Sequence, residues 1–119
     1  MIKNYSDKFF LKGKKVFIIG GCGLIGSKIS EVMLSASAEV YVLDNNKREG
    51  KKNIKKFQNK NYNFISFDLK NPIIADKKLK SSIKEFGCPD VFINCSYPTT
   101  KDWKLSAFSK NKLHILRKN

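Results

Sequence analysis

Histidine occurs once, at His114, and the three cysteines Cys22, Cys88 and Cys95 are odd in number with no Cys-x-x-Cys spacing. Neither a disulfide framework nor a zinc site is suggested, no metal ligand set is expected, and three reduced thiols fit the cytoplasm. No apolar run approaches the roughly 20 residues that cross a bilayer. Met1-Ile2-Lys3-Asn4 also lacks the apolar stretch of a signal peptide, so a cytoplasmic protein with no membrane partner is expected. Arginine is scarce as well: of 24 basic residues only Arg48 and Arg117 are arginine, and the rest are lysine. The formal charge of +14 could serve a polyanion. Arginine, however, is the better bidentate phosphate reader, and a chain rich in lysine and asparagine can simply reflect AT-rich coding. A basic nucleic-acid-binding protein is therefore the last of three readings.

What is present is a globular composition, 41% hydrophobic and 12% aromatic over 119 residues. That length leaves room for one domain and none for a separate substrate domain. Lys15-Val16-Phe17-Ile18-Ile19-Gly20 is a continuous apolar run ending in glycines, as a strand buried on both faces of a parallel sheet reads. From Leu24 the period changes. Ile25, Ile29, Val32, Met33 and Ala36 fall on one face of an amphipathic helix. Glu39 to Asp44 is a second strand, stopped by Asn45-Asn46, which closes a βαβ unit. Lys47 to Lys60 has only Ile54 and Phe57 as apolar anchors, so it is at best a short, solvated helix or a long loop.

Asn63 to Asp68 suits a third strand, and Pro72 can open a helix with Leu79, Ile83 and Phe86 toward the core. Gly87-Cys88-Pro89 ends that helix, and Asp90 to Asn94 reads as a fourth strand of the same buried type as the first. Beyond Thr100 the pattern fades to a weak helix. The expected fold is α/β: the N-terminal βαβαβαβ half of a Rossmann-like, doubly wound parallel sheet, as a single partial domain over residues 1–119 with a divergent tail from 104 to 119.

Gly20-Gly21-Cys22-Gly23-Leu24-Ile25-Gly26 contains the G-x-G-x-x-G spacing at Gly21, Gly23 and Gly26. Glycines permit a tight turn between strand and helix and remove the Cβ atoms that would keep a pyrophosphate from backbone N–H groups. Asp44, 18 residues after Gly26 at the end of the second strand, stands where a ribose-hydroxyl acceptor is expected. The site expected is thus a dinucleotide site. A carboxylate there accepts from the 2′-hydroxyl of NAD and repels the 2′-phosphate of NADP. NAD is the preferred cofactor, with Lys47 and Arg48 keeping NADP open. The competing reading is that the glycines serve helix–strand packing while Asp44 caps a turn.

With VFIIGGCGLIGSKI, VYVLDNN, the pair Asp68-Leu69 and DVFINCSYP in hand, the chain resembles the short-chain dehydrogenase/reductase superfamily over residues 12–103. The loop spacing and LDNN are similar to the sugar-nucleotide epimerase and dehydratase branch. INCSYP is similar to a region of oxidoreductases of surface-glycan and flagellin modification. Asn45, beside Asp44, is counted with the cofactor-binding residues, and the resemblance implies that Asp68 and Leu69 lie against the adenine and that Asn94 supports the sheet and the cofactor ribose. It implies a sugar or nucleotide-sugar substrate for a full-length enzyme.

Members of the superfamily resemble one another in a later Tyr-x-x-x-Lys pair for proton transfer. Tyr97 to Lys101 matches that spacing, but it follows the fourth strand directly, and Pro98 disfavours the helical i, i+4 pairing. No catalytic residue is therefore assigned, and the chain is expected to be a truncated or frameshifted remnant. A non-catalytic NAD-binding or scaffolding fragment is the alternative. With the fourth strand last in place, its open apolar edge is expected to favour self-association.

Overall fold

The computed structural model describes residues 10–58 and 60–97. Seven elements alternate: β1 (Lys15–Ile19), α1 (Leu24–Ser35), β2 (Glu39–Asp44), α2 (Lys47–Lys56), β3 (Tyr62–Ser66), α3 (Pro72–Phe86) and β4 (Val91–Asn94). The strands form one parallel sheet in the order β3-β2-β1-β4, with Val16 level with both Val40 and Val91. This is the Rossmann-like α/β arrangement that the sequence predicts. The call of a weak helix from Trp103 to Asn119, the divergent tail and Lys101 lie outside the described residues.

Because side chains alternate along a strand, the sheet has two apolar faces. Val16, Ile18, Val40, Val42 and Tyr62 meet α1 and the end of α2 on one. Phe17, Ile19, Tyr41, Leu43, Ile65 and Phe67 meet α3 through Ala75, Leu79, Ile83 and Phe86 on the other. β1 and β2 are buried on both faces, as their unbroken apolar runs require. Edge strand β4 is not. Val91 and Ile93 pack on the α1 side, whereas Phe92 is 49% exposed because no described element covers its opposite face. The expectation that β4 is buried like β1 is corrected accordingly.

The face of α1 is a second correction. Gly26, Ser30 and Leu34 are buried against the sheet and Ile29 and Met33 pack on the same core as expected, while Ile25 and Val32 are 69% and 61% exposed. At its start the helix lies backbone-close to the end of β1, so the small Gly26 and Ser30 take the nearest contact there. The Ser30 hydroxyl, fully buried, donates to the Gly26 carbonyl at 2.8 Å. Between a short helix and a long loop for Lys47 onward, the structure takes the helix. Asn46 caps it by accepting from Glu49 N–H at 3.1 Å, Glu49 sits in the first turn, and Lys55 and Lys56 sit in the last, all favourable to the helix dipole. In α3, Asn71 accepts from the N–H groups of Ile73 and Ile74, with Pro72 in the first turn as expected.

Candidate functional site

In a parallel sheet all strands deliver their carboxyl ends to one side, so the residues following β1, β2, β3 and β4 converge. They line one open cleft of about 820 Å³. Gly20 leaves β1 with φ of +74°, a conformation that favours glycine, and donates its N–H to the Leu43 carbonyl at 2.8 Å. A Cβ on Gly20 would lie 2.8 Å from the Ser96 backbone nitrogen, so the loop is seated against the segment after β4.

The remaining glycines divide by what surrounds them. A Cβ on Gly26 would collide with the Gly20 carbonyl oxygen, and one on Gly21 would sit 2.7 Å from Val42. Both are buried packing positions and neither lines the cleft. Gly23 is different, for a Cβ there would make only ordinary contact, and the residue is exposed on the cleft beside Leu24. It is also the N-cap of α1 and supplies no side-chain cap. The first-turn N–H groups, which have no intrahelical acceptors, therefore open on the cleft with the positive end of the helix dipole.

Asp44 stands opposite, at the end of β2. Its Oδ2 accepts from the Cys22 N–H at 2.9 Å and its Oδ1 from the Asn46 N–H at 2.9 Å. The turn-capping role is thus real. It does not exhaust the group, since a carboxylate has about four acceptor positions. Asn45, Asp68 and Leu69 line the same cleft, with Asp68 Oδ1 accepting from Lys70 N–H at 2.9 Å.

Besides the packing glycines Gly21 and Gly26, two more expected site residues fall elsewhere. Ile25 lies on the outer face of α1 with Val32, because one residue step along a helix turns the side chain about 100° away from the cleft-facing Leu24. Asn94 does not line the cleft. Its Oδ1 accepts from the Ser96 N–H at 3.0 Å and shapes the turn out of β4. Tyr97 lines the cleft, in keeping with a loop beside it after the fourth strand, and Cys95, Ser96 and Lys70 line it without having been assigned from sequence. The rule that ligand sites gather beyond strand carboxyl ends would have placed Cys95 and Ser96 there too.

The Cys22 thiol is pushed up to about 11 by burial, with the Asp44 carboxylate adding to the effect. Burial also raises the Cys95 thiol and the Tyr62 hydroxyl. These three groups stay neutral in ordinary buffers. Among the described residues no cluster of His, Cys, Asp or Glu could hold a metal ion. None of the described helices is long and apolar enough to cross a membrane.

The model of the short chain dehydrogenase family matches residues 14–111. A probable NADP-dependent mannitol dehydrogenase from Yarrowia lipolytica is 32% identical over 103 residues, which cover 82% of this chain and 36% of that protein. The chain therefore spans about a third of the length of that curated relative. Among solved structures, gox2181 superposes with a TM-score of 0.71 at 18% identity, covering 81% of this chain and 38% of that one. A hydroxysteroid dehydrogenase from Escherichia coli superposes with a TM-score of 0.66 at 24% identity, covering 75% of this chain and 39% of that one. Both structures share the fold.

Proposed function

The chain belongs to the short chain dehydrogenase family, and on that premise we propose that it is the NAD-binding part of an oxidoreductase whose substrate is a sugar or a nucleotide sugar. The observation that carries the reading is the meeting of Asp44 with the uncapped N-terminus of α1 across one cleft. The residues fit a dinucleotide. Gly23 leaves room for a pyrophosphate on the first-turn N–H groups, Asp44 has spare acceptor positions for a ribose hydroxyl, and Asp68 and Leu69 offer an edge for the adenine.

When bound, the nicotinamide group supplies the hydride acceptor or donor. The residues of this chain bind and orient it. NAD is favoured because the 2′-phosphate of NADP would meet the Asp44 carboxylate. The Yarrowia relative carries an NADP-dependent name, and Lys47 and Arg48 begin α2 close to Asp44, so the two nucleotides are the pair to compare. That relative's name also supports a polyhydroxy substrate. Since Tyr97 to Lys101 is the one Tyr-x-x-x-Lys spacing in the sequence and is ill placed for a helical pair, nucleotide binding without turnover is the expected behaviour of these 119 residues.

Titration of the chain with NAD and NADP tests the reading. Binding should be tighter for NAD, weakened by Gly23→Val, and shifted toward NADP by Asp44→Ala. Equal, non-saturating responses to both nucleotides would sink it. Steeply salt-dependent binding to DNA instead would favour the nucleic-acid alternative.

A further inference from the structure

Helix α2 has little to hold it apart from contacts on one side. Gly50 is its buried residue, packed so closely that a Cβ would lie 2.6 Å from the Phe64 ring. Asn53, three residues on and therefore on the same face, is half-buried. Its Nδ2 donates to the Tyr62 hydroxyl at 3.3 Å and points to the Cys22 sulfur at 4.0 Å. One amide on α2 thereby touches both β3 and the middle of the glycine loop.

These contacts close a circuit. Asn53 meets Cys22, the Cys22 N–H donates to Asp44 Oδ2, and Asp44 Oδ1 accepts from Asn46, which is the N-cap of the same α2. The carboxylate at the end of β2 is held from two directions, and both holds run through α2. Asn53 itself does not line the cleft and carries no charge.

We propose that Asn53 is a positioning residue for the nucleotide's adenosine ribose: by seating Cys22 against Tyr62 it fixes the Cys22 N–H on Asp44 and so aims the carboxylate into the cleft. The proposal rests on the dinucleotide reading above. Its consequence is specific. Moving Asp44 weakens NAD more than NADP, whereas loosening of α2, which carries Lys47 and Arg48, weakens NADP at least as much as NAD.

The test uses the full 119-residue chain with Asn53→Ala, with Asn53→Leu as a second variant that refills the half-buried position should the first fold poorly, and with Ile54→Ala as a control on the half-exposed side of α2. Hydrogen exchange of the Cys22 amide reads the circuit, and Kd values for NAD and NADP read its effect. Loss of one hydrogen bond's worth of order corresponds to about a fivefold change. Both Asn53 variants should speed Cys22 exchange and weaken NAD about fivefold with a smaller change for NADP, so the NAD:NADP preference falls. Ile54→Ala should change neither.

Unchanged Cys22 exchange overturns the proposal, as does an equal loss for both nucleotides. If the unsubstituted chain binds neither nucleotide, the dinucleotide reading fails and this proposal fails with it. If it binds NAD and the variants keep the original preference, the proposal alone fails.

Discussion

At Gly26 the sequence and the structure argue from the same atom. The motif spacing marks the position for glycine, and the structure shows why: a methyl group there would run into the Gly20 carbonyl, a backbone group that cannot swing aside. Overpacking of this kind costs about 1–3 kcal/mol, so Gly26→Ala should lower the melting temperature by roughly 5 °C or more. An unchanged melting temperature would show that the loop has slack. Cys22, in the same loop, gives a pH dependence. Its thiol is raised from 9.0 to about 11 in the folded chain, mainly by burial and then by Asp44, so the fold favours the neutral form. The stabilisation is complete below pH 9 and is lost as pH rises toward 11. The urea midpoint should fall across that window, and less steeply in Cys22→Ser.

At the scale of elements, strand β2 was legible residue for residue, since an unbroken Glu39–Asp44 run between a glycine-started helix and Asn45-Asn46 has no competing reading. Helix α1 was legible as a helix but not in its facing. Periodicity weighs hydrophobicity and selects Ile25 and Val32, whereas close approach to β1 selects smallness and turns Gly26 and Ser30 inward. Within the candidate site, Asp44 and Gly23 could be read because spacing encodes them, and Asp68 because the family resemblance implied it. Ser96 and Asn53 could not, because their roles depend on which strands become neighbours. Helix α2 illustrates the same conflict at Gly50. Alanine is the better helix former by about 1 kcal/mol, yet its methyl would press on the Phe64 ring at 2.6 Å. Packing should win, with Gly50→Ala lowering the melting temperature although propensity alone raises it. A rise would mean that Phe64 rotates away freely.

For the molecule as a whole, the apolar surfaces that stand open among the described residues include the edge of β4 at Phe92 and the outer strip of α1 at Leu24, Ile25 and Val32. An edge strand presents unpaired backbone groups beside an exposed aromatic ring, which is a template for pairing with another copy. Against association stands the net charge of +14, whose repulsion reaches about 8 Å at physiological ionic strength and less at higher salt. The balance predicts a sign. Sedimentation should show a species that is largely monomeric at low salt and associates as salt and protein concentration rise, because screening removes the repulsion and leaves the apolar attraction. Phe92→Lys should oppose that association by placing a charge on the edge, while Val32→Lys acts on the α1 strip alone, so comparing the two assigns the surface. A chain that stays monomeric at every salt and concentration would show that neither surface is available to a second copy, and association that weakens with salt would point instead to pairing between opposite charges.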